Sequence, residues 1–217
     1  MELRTGQLRG VKTGKERRIP EAELAALLDG RSGPGPSSLV STARYFTMPE
    51  DVRPMELLMG VLVREPSPTP DHARVAKRVF RELVRPVEDA GLGEVFLAPQ
   101  DVVLAADTVV QPDVFVIARE QAGIVGERIE GAPALVVEVE SPSTAERDRT
   151  TMRLLYVVHG VKEYWFVAPG SQAVWQFWDP AATGFRRQAL APSEAGRALR
   201  SVAFPSVEVE VQPLFQR

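Results

Sequence analysis

The stretch Val136-Val137-Glu138-Val139-Glu140-Ser141-Pro142-Ser143-Thr144 decides how this chain is read. With Leu135 ahead of it the run is β-branched and apolar, which favours a strand over residues 133 to 140. Side chains alternate along a strand, so Glu138 and Glu140 share one side while Val137 and Val139 take the other. A plain core strand would fill that side with Val or Ile, because an ionised carboxylate without a partner in a dry interior is costly.

Gln111-Pro112-Asp113 offers a reason for the carboxylates. Asp113 opens a second apolar run, Val114-Phe115-Val116-Ile117, straight after a proline, a residue confined to the start or edge of a strand. If the two strands pair, Asp113 comes up to Glu138. Three oxygen-bearing side chains converging at strand ends suit a hard divalent cation such as Mg²⁺. Carboxylates so close repel one another, and neutralising one is expected to raise the stability of the metal-free protein.

These residues carry a family resemblance. Pro112-Asp113, followed a strand and a loop later by Glu138-Val139-Glu140, resembles the PD-(D/E)xK nuclease superfamily. Taken with Ser141-Pro142-Ser143-Thr144, Gly160-Val161-Lys162-Glu163-Tyr164-Trp165 and Glu56-Leu57 ahead of Gly60, the chain from about Tyr45 to Phe215 is similar to the Uma2-type restriction endonucleases. The resemblance implies an α/β fold of restriction-endonuclease type, a mixed sheet with an αβββαβ core flanked by helices, with extra β-hairpins. It also implies hydrolysis of DNA phosphodiester bonds with Mg²⁺ or Mn²⁺. Asp113 and Glu138 would then hold metal, Glu140 would ligate metal or act as general base, and Glu56 and His72 would contribute beside them. Glu56 reads equally as a solvated hairpin residue, and His72 as a hydrogen-bonded structural one.

The match has a gap. Where the superfamily has a lysine after the E-x pair, Uma2-like proteins have an apolar residue and place a lysine on the next helix, four residues after an Asp. Here the Asp is Asp148 and the fourth position is Met152. Arg149 and Arg153 are near in sequence, but an arginine stays protonated at neutral pH and cannot accept a proton. Glu140 stands in the place of the superfamily lysine, and a carboxylate there can take a proton from the attacking water. The competing reading is a catalytically degenerate nuclease fold that binds DNA or a partner protein.

The chain has 217 residues, enough for one well-buried domain plus a tail. It has no cysteine, so disulfides and thiolate metal sites are excluded and any metal is held by oxygen, with or without His. No long apolar window or signal-peptide core is present, which leads us to expect a cytoplasmic protein without membrane contact. A net charge of −3 and a pI near 5.6 argue against coating duplex DNA by charge alone. The charge is uneven: Met1 to Arg18 holds Arg4, Arg9, Lys12, Lys15, Arg17 and Arg18 against Glu2 and Glu16, a net +4 that leaves −7 on the remainder. That arm is either a solvated tail or a nucleic-acid contact.

Residues 1–40 read as an extension and 41–217 as the nuclease-like domain. Within the extension, Pro20, early acids and Leu24, Leu27 and Leu28 at helical spacing predict a short amphipathic helix ending near Gly30, able to dock on the domain or on a second copy in a homodimer. Gly33-Pro34-Gly35-Pro36 marks a linker. Met55 to Arg64 predicts a hairpin turning at Met59-Gly60, looser than usual because Met59 stands where the family has an acid. A helix is expected from Asp71 as N-cap, with Ala73, Ala76, Phe80, Leu83 and Val87 as its apolar face. Arg74, Lys77, Arg78, Arg81 and Arg85 form a basic stripe on it, solvated or set against phosphates.

Strands are expected at 95–97, 102–104 and 109–117. Ser143 and Glu146 have capping-box spacing for the helix after the Glu strand, whose one face carries Met152, Leu155, Tyr156 and His159. His159 is expected to bond the last carbonyls of that helix. Tyr164 to Val167 reads as a strand and 173–190 as a hairpin. Strict alternation over Val207 to Val211 leaves Glu208 and Glu210 on a solvated face.

Overall fold

A computed structural model describes residues 11–13, 16–18, 39–49, 56–64, 67–141 and 148–216. The helix expected at 19–28 and the Ser143/Glu146 capping box lie outside these residues. In chain order the elements are β1 (Val11–Thr13), β2 (Glu16–Arg18), α1 (Thr42–Phe46), β3 (Glu56–Leu58), β4 (Val61–Val63), α2 (Pro70–Val84), β5 (Gly93–Leu97), β6 (Val102–Ala105), β7 (Thr108–Val110), β8 (Val114–Ala118), β9 (Ile129–Glu130), β10 (Leu135–Val139), α3 (Arg153–Val158), β11 (Glu163–Ala168), β12 (Ala173–Ala181), β13 (Gly184–Pro192), β14 (Ala198–Arg200) and β15 (Glu208–Glu210). Within the basic arm, residues 11–13 and 16–18 form the antiparallel pair β1–β2.

The main sheet runs β13-β12-β11-β10-β8-β5, and a second sheet runs β4-β3-β7-β6-β9. β10 lies at the centre of the first, antiparallel to β8 and parallel to β11. All five of its residues are buried, Glu138 among them, as a largely apolar run demands of a strand covered on both faces. A parallel neighbour needs a crossover, and α3 supplies it between β10 and β11. With α2 leading into β5, β8 and β10, the expected αβββαβ order is realised, and the β6–β7 hairpin is diverted into the second sheet.

The faces of β10 divide the core. Leu135, Val137 and Val139 pack with Val75, Ala76, Val79 and Leu83 of α2. Val136 packs on the opposite side with Met152, Leu155 and Tyr156, together with Leu58, Val102 and Val110 from the second sheet. α2 starts two residues earlier than expected: Thr69 is the N-cap, its hydroxyl accepting from the His72 amide at 3.2 Å, and Pro70 fills the first turn. Its buried stripe is Val75, Ala76, Val79 and Leu83, continued by Val87, whereas Ala73 is exposed.

The Met59-Gly60 turn is tight, not loose. Leu58 pairs with Val61 across it, and Met59 and Gly60 have φ of 49° and 83°, as a two-residue hairpin turn of primed type requires. A Cβ on Gly60 would come within 2.9 Å of the Leu39 Cβ.

The rest of the main sheet is tied down by Glu163, a fully buried carboxylate. It accepts from the Trp165 indole (2.6 Å), the Gln176 amide (2.6 Å), the Ser201 hydroxyl (2.6 Å) and the backbone amides of Val202 and Ala203 (2.9 and 2.8 Å). Glu208 and Glu210 are exposed as their alternation predicts, and Glu208 pairs with Arg200.

Candidate functional site

Antiparallel pairing of β8 with β10 sets Val114 opposite Val137, so Asp113 continues the register to Glu138. The two residues are bound to each other's strands. The Asp113 amide donates to Glu138 Oε2 at 3.3 Å, and Asp113 Oδ2 accepts from the Val139 amide at 2.7 Å. His72, in the first turn of α2, brings Nε2 to 3.0 Å from the same Asp113 oxygen, with both side chains mostly covered. The structure therefore brings Asp113, Glu138 and His72 into one locus.

Glu56 arrives from the second sheet. It is buried on β3, and its Oε1 accepts from the Gln111 amide at 3.4 Å. The Gln111 side chain in turn donates to Asp101 at 2.8 Å, which steadies the segment leading to Asp113.

Tyr156 is the residue that sequence reasoning placed only on the core face of its helix. Its hydroxyl donates to Glu138 Oε1 at 2.5 Å. Burial above all, then the negative charges of Glu138 and Glu56, push this phenol well above its ordinary pKa, so it remains a donor. The same electrostatics put Glu56 close enough to Tyr156 to be felt. Tyr156 follows Met152 by one helical turn, which is the one sequence signal that it shares the site-facing side.

Glu140 lies one residue past the end of β10, half-buried, its amide donating to Val167 of β11 at 2.8 Å. The strand expected to reach 140 stops at Val139. Met152 is almost fully buried among apolar neighbours and serves as core. His159 caps α3, its Nδ1 2.8 Å from the Leu155 carbonyl, and burial lowers its pKa against the raising effects of that carbonyl and of Asp107.

The carboxylates of Asp113, Glu138 and Glu140 and the His72 imidazole are of the hard, oxygen-rich chemistry that Mg²⁺ or Mn²⁺ would prefer. Among the described residues no three His, Asp or Glu side chains are already gathered as a ligand set. No helix among them is long and apolar enough to cross a membrane.

Comparison with known proteins adds two findings. The family model Uma2, described as "Putative restriction endonuclease", matches residues 42–212. The fold is similar to a crystal structure titled as a "putative nuclease belonging to DUF820" from Anabaena variabilis ATCC 29413, with a TM-score of 0.70 at 18% identity, covering 81% of this chain and 97% of that one. No curated protein matches.

Proposed function

Because the chain belongs to the Uma2 family, we propose that it is an endonuclease that hydrolyses DNA phosphodiester bonds with Mg²⁺ or Mn²⁺ at the Asp113–Glu138 locus. The observation that carries this reading is the reciprocal tie between Asp113 and Glu138 on neighbouring central strands, with His72 on one side and Tyr156 on the other.

Asp113 and Glu138, with Glu140 beside them, would hold the cation, which when bound supplies charge stabilisation at the phosphoryl group and acidifies water. Glu140, one residue beyond the strand and only half-buried, would be the residue to accept a proton from the attacking water. His72 orients the Asp113 carboxylate through its 3.0 Å contact, and Tyr156 orients Glu138. Lys77 and Arg81 on α2 and Arg85 just after it are exposed for phosphate contact.

One observation favours the second reading, a nuclease fold that binds without cutting: Met152, at the position where the family resemblance implies a lysine, is packed into the core. Relaxation of supercoiled plasmid decides between them. Cleavage with Mg²⁺ or Mn²⁺ that disappears in Asp113→Asn is expected, and an inert wild type with intact DNA binding would establish the second reading instead.

A further inference from the structure

A groove of about 540 Å³ is lined by none of the hydrolytic residues. Asp71, Arg74, Val75 and Arg78 line it from α2, Gln172 from the turn between β11 and β12, and Phe215 and Gln216 from the C-terminal segment. Two chain connections lead from it to the site. Arg74 is two residues beyond His72, which holds Asp113. Pro169, also on the wall, directly follows β11, whose Val167 takes the Glu140 amide.

The lining matches the parts of a nucleotide. Arg78 Nη1 donates to the Leu214 carbonyl at 3.3 Å, which fixes the guanidinium and leaves the rest of its donors for an anion. Arg74 is paired with Asp71 at 2.6 Å, so its charge is partly cancelled and Arg78 is the main cation of the groove. Phe215 offers a half-buried ring against which a base can stack. Gln172, whose Oε1 accepts from Ser193 at 3.3 Å, keeps its NH₂ for a base edge. The volume is in the range that holds one small ligand. A base inside a duplex stays stacked and cannot reach a side groove without being flipped out.

We propose that the groove holds one unpaired nucleotide of the substrate strand, its phosphate on Arg78 and Arg74 and its base on Phe215. The substrate class is then DNA that is single-stranded next to the bond to be cut. This rests on the carboxylate locus being a nuclease site, and the test keeps the two apart by measuring binding without metal.

Fluorescence anisotropy of a labelled single strand, the same sequence as duplex, and dAMP as competitor provides the readout. The single strand is expected to bind more tightly than the duplex, with Phe215→Ala and Arg78→Gln each weakening it by about tenfold. Phe215 also packs on the core, so Gln216→Glu serves as the second variant: the residue is exposed, and a charge there should repel the strand without touching the fold. Arg197→Gln, at an exposed position outside the groove and outside the residues assigned to phosphate contact, should have a smaller effect. A preference for duplex, or single-strand binding indifferent to Arg78→Gln and Gln216→Glu, would overturn the proposal. So would dAMP competing as well as the oligonucleotide, which would make the ligand a free nucleotide. Groove-dependent binding by a wild type that never cuts would uphold the groove and sink the nuclease reading; cutting untouched by the groove variants would do the reverse.

Discussion

The Tyr156 hydroxyl donates to Glu138 Oε1 at 2.5 Å, joining the helix after the central strand to the carboxylate on it. Both residues are buried, and the phenol keeps its proton because burial and the neighbouring charges raise its pKa. Tyr156→Phe preserves shape and removes only this bond. Urea unfolding is expected to show a loss of about 1.5–3 kcal/mol, the range for a bond to a charged group. Calorimetry should show divalent-ion affinity falling by roughly tenfold or more, as when a group holding a ligand is removed. Unchanged affinity would remove Tyr156 from the site.

Asp113→Asn and Glu138→Gln are each expected to abolish Mg²⁺ and Mn²⁺ binding while leaving the fold intact. Spacing alone predicted a gain in metal-free stability from relieved repulsion. The structure reverses that sign for Asp113, whose carboxylate is met by His72 and the Val139 amide. Thermal melting of Asp113→Asn should show a loss of about 1–2 kcal/mol, and a rise in Tm would restore the repulsion view.

Glu140→Ala should lower plasmid cleavage by about 10²-fold or more, the usual scale for a general base. Met152→Lys should not help, because an ammonium at this buried core position is penalised by desolvation and the protein should melt earlier. Cleavage that survives Glu140→Ala but not Asp113→Asn would reduce Glu140 to a bystander.

His159 gives a pH dependence of known sign. Its pKa is lowered in the folded protein, chiefly by burial, so on acidification the unfolded chain takes up this proton first. Stability is therefore full above the ordinary histidine pKa of about 6.5 and falls as pH drops below it, by at most about 1.4 kcal/mol per pH unit for one proton. The difference in stability between pH 7 and pH 5 should shrink in His159→Asn; an unchanged difference would mean that His159 is not the group responsible.

Glu163→Ala would strip five donors of their shared acceptor. A loss of at least about 3 kcal/mol in unfolding free energy is expected, since each buried donor left unsatisfied costs about 1–3 kcal/mol. A loss below 1 kcal/mol, on the order of an ordinary exposed substitution, would show that water replaces the carboxylate.

The sequence by itself determined the centre of this protein. The apolar run at 114–117 and the run at 135–139, interrupted only by Glu138, are stable only as strands covered on both faces, and Pro112 stands just ahead of the first. That the strands hold Asp113 and Glu138 at one end then follows once they pair. The buried face of α2 was less legible, because Ala73-Ala76-Phe80 and Val75-Ala76-Val79 make competing stripes that share Leu83 and Val87. Packing on β8 and β10 chose the second. The helix starts with Thr69 as its cap because Pro70 is preorganised for the first helical position, which leaves Asp71 inside the first turn where an acid is favoured. Only the tertiary structure decided that Tyr156 meets Glu138, that His72 meets Asp113 and that Glu163 anchors the 201–203 turn. Periodicity and local propensity specify which face a side chain takes, but these partners lie 18 to 41 residues apart, and their meeting depends on how the faces pack.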